Sequence, residues 1–385
     1  MHHFLKKKIM KNKFLMLLFA TILLGLNSCN DDATDLVVTP PRDHAVQFSE
    51  EEKSIELFLA NNCPKITYTN GEVTKIEIIK LANANGLPTF KSFYYNVLDG
   101  NSDGYRYEST KEEENENTFT MTYPKLIKKQ FQHQGIKYSY WYFIVKPGAV
   151  TKIPYGYTQA TPARPTEYDG VLLDYKGYVI NSSNQVETPF EETNYPTELR
   201  LTGVIRGFSR ILPKFGSSST AIINNDGTVT YQNYGSGVMI FPSGMGYYNN
   251  STTSIPAYSP LLFTFNLYDV KRYDFDQDGI MSFREDYNGD GYFYSNFDNN
   301  VNHNMNDDKD KDGVTDALDY DDDGDGIITY NEVIDPATGV PFLDKDFQKL
   351  SFTTNTCDGS TTAAYLNKNQ IRKVSVNGVV SCNGL

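Results

Sequence analysis

The chain has 385 residues, 14% of them aromatic and 22% charged, and a formal net charge of −13. That length has room for roughly two or three domains, and the Tyr- and Phe-rich composition supports a packed core and excludes wholesale disorder. The charge is local: residues 274–332 carry 16 Asp and 2 Glu against 2 Lys and 1 Arg, so the acidity belongs to one segment and argues against a nucleic-acid partner.

In chain order, Lys6, Lys7, Lys8, Lys11 and Lys13 form a basic region without acids, and Phe14 to Leu26 is an apolar run too short to span a bilayer. The run ends Leu26-Asn27-Ser28-Cys29. This resembles a bacterial lipoprotein signal, which implies removal of residues 1–28, lipidation of Cys29, and anchorage by lipid to the outer membrane, on its periplasmic or exposed side. Asn30-Asp31-Asp32 resembles the acidic export tag of Bacteroidetes surface lipoproteins. Residues 29–42, with Thr39-Pro40-Pro41, read as a tether.

Residues 43–165 read as an N-terminal α+β region. A helix is expected over 43–63, with Ser49 and Glu52 as capping box and Ile55, Phe58 and Leu59 on one face. Strands are expected at 74–81 and 92–97, a polar loop at 111–117, and a strand at 138–145 whose continuous apolar character predicts burial on both faces. Cys63 reads as a buried small apolar residue, and Cys357 and Cys382 are suited to a bridge in an oxidising compartment.

Residues 166–271 read as strands around one short helix, hence an α+β domain with an antiparallel sheet. The strands are 171–179, 237–242 and 261–270, the last alternating Leu261, Phe263, Phe265 and Leu267 on one face. The helical turn covers 208–215, and Asn225-Asp226-Gly227 marks a hairpin. The ordered blocks are Val171-Leu172-Leu173-Asp174-Tyr175-Lys176-Gly177, Phe190-Glu191-Glu192-Thr193, Gly203-Val204-Ile205-Arg206-Gly207-Phe208, Pro242-Ser243-Gly244-Met245-Gly246-Tyr247, and Ile255-Pro256 followed by Leu261-Leu262-Phe263. Over about a quarter of the chain they resemble the FKBP-type peptidyl-prolyl cis-trans isomerases. The resemblance implies an antiparallel half-barrel around a short helix, with Tyr175, Phe190, Glu191, Val204, Ile205, Phe208, Tyr247, Ile255 and Phe263 lining an aromatic pocket for proline-containing client polypeptides. Four departures stand out. Phe208 replaces the family's tryptophan, Glu191 its aspartate and Tyr248 its glycine, and an insertion separates Phe215 from Gly237. A non-catalytic binding module on the same fold is the alternative that these departures keep open.

Residues 272–345 read as calcium-binding repeats. The pattern needs oxygens at loop positions 1, 3 and 5, glycine at 6, a carbonyl at 7 and a carboxylate at 12, because a hard cation takes many oxygens and the chain must turn sharply at 6. The first loop supplies Asp274, Asp276, Asp278, Gly279, Ile280 and Glu285. The second supplies Asp286, Asn288, Asp290 and Gly291 but has Phe297 at position 12. The third has Asp308, Asp310, Asp312, Val314 and Asp319, and the fourth Asp321, Asp323, Asp325, Ile327 and Glu332. Most of the loops follow too closely for flanking helices, which argues against an opening switch of helix pairs. The arrangement resembles the thrombospondin type 3 class of extracellular calcium repeats, which implies structural Ca2+ in place of a hydrophobic core. Residues 346–385 form a polar tail with a β-like run at 371–380.

Overall fold

The computed structural model describes residues 40–94, 123–133, 135–152, 161–193, 195–295, 307–335 and 340–341, together with 366, 372–374 and 380–382. The signal segment, Cys29, the 111–117 loop, Phe297 and the Cys357 half of the expected bridge lie outside the described residues. Residues 40–42 fall in the N-terminal unit, and the architecture below is that of the unit beginning at Asp43.

Helix α1 spans His44–Asn61. Its N-cap is Asp43, whose carboxylate accepts the N–H groups of Ala45 and Val46, both at 3.0 Å. The helix begins where expected, but the capping box assigned to Ser49 and Glu52 is corrected: the cap is Asp43, and Glu52 instead accepts the Ser139 hydroxyl at 2.8 Å and pairs with Lys128 at 3.0 Å. Ile55, Phe58 and Leu59 are buried together as the periodicity requires.

A hairpin follows, β1 (Asn62–Thr69) and β2 (Glu72–Lys80), turning through Asn70 and Gly71 at φ 53 and 82. Of the strand expected at 92–97, Ser92 and Phe93 lie in the 3-10 turn Phe90–Phe93, Tyr94 forms an isolated parallel bridge with Leu126, and 95–97 lie outside the described residues. The Phe90 ring is buried edge-on to Phe143 at 5.2 Å. Cys63 is buried and its thiol is free.

The principal sheet has seven strands. Its path is β3 (Lys125–His133), β4 (Ile136–Pro147), β12 (Gly235–Phe241), β13 (Leu261–Lys271), β7 (Gly170–Val179) and β8 (Glu191–Glu192), with β9 (Thr197–Arg200) also on β7. Every pairing in it is antiparallel. Two-stranded ribbons complete the strands in this region: β5 (Thr151–Lys152) with β6 (Thr161–Pro162), and β10 (Thr220–Ile223) with β11 (Val229–Gln232). Strands β3 and β4 precede residue 165 yet are hydrogen-bonded into the sheet of the following segment, so one sheet runs through both expected regions.

Both faces of this sheet are covered, which is why residues 138–145 of β4 are buried without a break and are apolar but for Ser139. Tyr138, Tyr140, Tyr142 and Ile144 point to one core with Leu261, Phe263, Phe265 and Leu267. Trp141, Phe143 and Val145 point to the other, with α1 and Val73 and Ile76 of β2. The first core is closed by α2 (Arg206–Ile211) and the 3-10 turn Leu212–Lys214, through Phe208, Ile211, Leu212 and Phe215. Gly207 permits this seating, because a Cβ there would lie 2.3 Å from the Phe241 ring.

The acidic segment packs beside α2. The Tyr292 hydroxyl donates to the Arg210 carbonyl at 2.6 Å, and the Arg210 guanidinium lies 4.2 Å from the Tyr292 ring centre. On its other side, Tyr168 packs against Phe275 at 5.1 Å and Phe293 at 4.6 Å. The segment ends in a short helix, α3 (Thr329–Glu332).

Candidate functional site

Three strands and the start of α2 bring four aromatic rings together. Phe208 of α2 stands edge-on to Phe263 of β13 at 4.7 Å and to Tyr175 of β7 at 5.7 Å. Phe190, just before β8, is perpendicular to Phe263 at 5.6 Å. Edge-to-face pairs of this kind fix ring positions as well as bury area. Gly177 of β7 makes room for them: a Cβ there would meet Phe190 at 2.5 Å and Phe263 at 2.7 Å.

The polar end of the cluster is defined too. The Tyr175 hydroxyl donates to Glu191 Oε1 at 2.7 Å. Burial, then the Glu191 carboxylate, hold its titration far above the usual tyrosine range, so it is a neutral donor at physiological pH. Ile255 is buried against the same core, and Val204, Ile205 and Tyr247 pack on it half-buried. Glu191 is exposed at the rim. All nine residues expected to line a pocket therefore lie on or beside one face of the sheet.

Tyr248, where a glycine was expected from the resemblance, adopts φ 50, the left-handed region that glycine favours. Its ring is stacked on His44 at 3.8 Å and edge-on to Tyr258 at 5.2 Å, contacts that offset the backbone cost. The same turn is tied to α1 by the buried Glu51, whose carboxylate accepts the Ser243 N–H at 2.7 Å.

The four acidic loops share one local geometry. The position-1 carboxylate accepts the glycine N–H at position 6: Asp274 from Gly279, Asp286 from Gly291, Asp308 from Gly313, and Asp321 from Gly326. The position-3 oxygen accepts the N–H of position 5, in Asp276, Asn288, Asp310 and Asp323. The position-5 carboxylate accepts the N–H of position 7, which belongs to Ile280, Tyr292, Val314 and Ile327 in turn. The glycines sit at φ 100, 89, 103 and 89.

Position 9 closes the first, third and fourth loops. Ser282, Asp316 and Thr329 accept the N–H of Phe275, Lys309 and Asp322 at position 2. In the second loop position 9 is Tyr294, which has no short oxygen. Asp307 supplies it from outside, accepting Tyr287 N–H at 3.0 Å and Tyr294 N–H at 3.1 Å. Asp319 Oδ1 accepts the Asp321 N–H at 3.0 Å and so joins the third loop to the fourth.

These turns orient carboxylate oxygens inward. Asp274 Oδ1, Asp276 Oδ2, Asp278 Oδ2 and both oxygens of Glu285 are buried without a hydrogen-bond partner. Burial above all, then neighbouring carboxylates, push Asp276 up to about 9 and Asp278 up to about 7. Such a set of oxygens, with glycine at the turn, fits a hard dication. Oxygens of Asp308, Asp310 and Asp312, and of Asp321, Asp323 and Asp325, likewise converge within 4.8 Å. The expectations missed Glu51 and Asp307, which serve the sites from other segments and carry no motif.

The chain matches, over residues 275–364, the family described as BamM C-terminal. No curated protein gave a significant match. Similar solved structures include a peptidyl-prolyl cis-trans isomerase from Pseudomonas syringae pv. tomato, at 18% identity and TM-score 0.24, over 34% of this chain and 75% of that one. FkpA from Escherichia coli is similar at 21% identity and TM-score 0.26, over 42% of this chain and 58% of that one. A multi-domain immunophilin from Arabidopsis thaliana is similar at 14% identity and TM-score 0.24, over 34% and 42%. Among the described residues no helix is long and apolar enough to cross a membrane.

Proposed function

We propose that this chain is a peptidyl-prolyl cis-trans isomerase of the bacterial envelope, anchored by lipid at Cys29, that acts on proline-containing segments of exported proteins. The observation that carries the reading is the cluster of Tyr175, Phe190, Phe208 and Phe263, closed at its polar end by the Tyr175–Glu191 hydrogen bond. Rotation about an X–Pro bond breaks amide resonance against a barrier of ~18–20 kcal/mol. The twisted bond is less polar than the planar one, so an apolar, water-poor cleft binds it better, and preferential binding of the transition state is catalysis. The Tyr247 hydroxyl offers a donor at the rim, while the Tyr175 O–H is committed to Glu191 and fixes that carboxylate. No nucleophile or proton transfer is required, which suits a site without a histidine dyad.

Ca2+ fits the acidic loops by the orphaned, buried oxygens of Asp274, Asp276, Asp278 and Glu285. When bound it would neutralise the carboxylates of the four loops, and it takes no part in the bond rotation. The match to BamM C-terminal regions over 275–364 supports an outer-membrane-related setting. The second reading, a binding module that holds proline segments without turning them over, is favoured by Phe208 and by Tyr248 locked between His44 and Tyr258.

The test is cis–trans exchange of a prolyl tetrapeptide with the purified chain, in calcium and in chelator. Acceleration over buffer that is lost in Phe208→Ala supports the enzyme. No acceleration by the wild type, with retained binding of proline peptides, establishes the binding module instead.

A further inference from the structure

Asp322 occupies position 2 of the fourth loop, a position whose side chain a twelve-residue calcium loop does not use. Its backbone behaves as expected there, its N–H donating to Thr329 Oγ1 at 3.1 Å. Its side chain does not behave as an ordinary acidic surface group. Asp322 is 1% exposed, and neither carboxylate oxygen has a hydrogen-bond partner. It points at the first loop: oxygens of Asp278, Glu285 and Asp322 lie within 4.8 Å of one another. Glu285 is 0% exposed, and its two oxygens are also unpartnered.

Position 2 is where each loop reaches a neighbour. Phe275, in the first loop, packs on Tyr168, and the Lys309 ammonium of the third loop lies 3.5 Å from the centre of the Tyr287 ring in the second. Asp322 extends that pattern from the fourth loop to the first, across the whole segment. Three carboxylates converging out of water would repel one another strongly, and buried unpaired charge is expensive. Burial acts most strongly on Asp322, followed by the acidic groups Asp278, Asp316 and Asp276, and the largest opposing contribution is the neighbouring Thr329 hydroxyl.

We propose that Asp322 is a ligand of the cation held by the first loop, so that one Ca2+ is shared by Asp274, Asp276, Asp278, Glu285 and Asp322 and fastens the first loop to the fourth. This rests on the calcium reading above. The added carboxylate raises the charge of the first site and makes it the tightest of the set, since ligand charge tunes affinity in such sites.

The experiment is calorimetric titration of the full chain with Ca2+, in the wild type, Asp322→Asn, Glu285→Gln and the double variant, with melting curves in calcium and in chelator. The expected result is that Asp322→Asn weakens the tightest site by about tenfold or more. Glu285→Gln should weaken that same site, and the other sites should be unchanged. In the melts, Asp322→Asn should be less stable than wild type in calcium but equal or more stable in chelator, because it removes a carboxylate whose ionisation is opposed by burial among other acids; a purely structural role lowers both. Wild type that binds calcium while Asp322→Asn leaves every affinity within about twofold overturns the proposal. Wild type that binds no calcium overturns the calcium reading itself, and the proposal falls with it.

Discussion

The Glu51 carboxylate accepts both the N–H of Ser243, at 2.7 Å, and its hydroxyl, at 2.5 Å, from 192 residues away in sequence. This joins α1 to the turn that leads into Tyr247. Glu51→Ala leaves both buried Ser243 donors without an acceptor, at a cost of about 1–3 kcal/mol. A lowered melting temperature and a lowered kcat/KM toward prolyl peptides are expected. A variant with wild-type stability shows that the bond contributes nothing.

Tyr175→Phe keeps the ring and removes only the donor to Glu191. The stability loss should be about 1.5–3 kcal/mol at most, the range for a hydrogen bond to a charged group, and nearer the bottom because Glu191 is exposed. Activity should fall while the melting transition stays cooperative. Because Tyr175 is held neutral, its contribution should be constant from pH 6 to 9; a pH-dependent difference between Tyr175→Phe and wild type across that interval contradicts this assignment.

Gly207→Ala sets two effects against each other. Alanine gains about 1 kcal/mol of helix propensity. Its methyl would lie 2.3 Å from the Phe241 ring, and overpacking of that kind costs about 1–3 kcal/mol. Since α2 has only six residues, packing outweighs propensity, and the variant should melt below wild type. Chemical denaturation reads the sign directly, and a stabilised variant refutes the packing account.

Removing calcium should invert the usual response to acid. Without a cation, Asp276, Asp278, Asp307 and Asp316 are pushed up to about 9, 7, 8 and 7, chiefly by burial. The unfolded chain releases the same protons near pH 4. These groups therefore contribute stability that is full below about pH 4 and is lost as pH rises through 7 to 9. In excess chelator the melting temperature of the acidic segment should rise as pH is lowered from 9 to 6. In saturating calcium the ligating carboxylates stay ionised and the slope should shrink. A metal-free transition that falls over that interval rules the account out.

The elements that could be read from the chain alone are those written by contiguous residues. The strand at β13 follows from alternation of Leu261, Phe263, Phe265 and Leu267, and all four point to one core. The loop turns follow from carboxylates and glycines at fixed short spacing, because the hydrogen bonds accepted at positions 1, 3 and 5 span two to five residues. The helix was legible from residue 43, but its cap was assigned to Ser49 and Glu52 because they satisfy the same local rule as Asp43, and only Ser139 and Lys128 decide where Glu52 points.

The sequence by itself determined the periodicities, the acidic loops and the ordered blocks around Tyr175, Phe208 and Phe263, since each depends on neighbours along the chain. Only the tertiary structure decided that Asp307 completes the second loop, that Asp322 turns toward the first, and that Glu51 holds the turn before Tyr247. Those roles depend on which distant backbones meet, and a carboxylate bound for a remote partner looks, in one dimension, like any other acid on the surface.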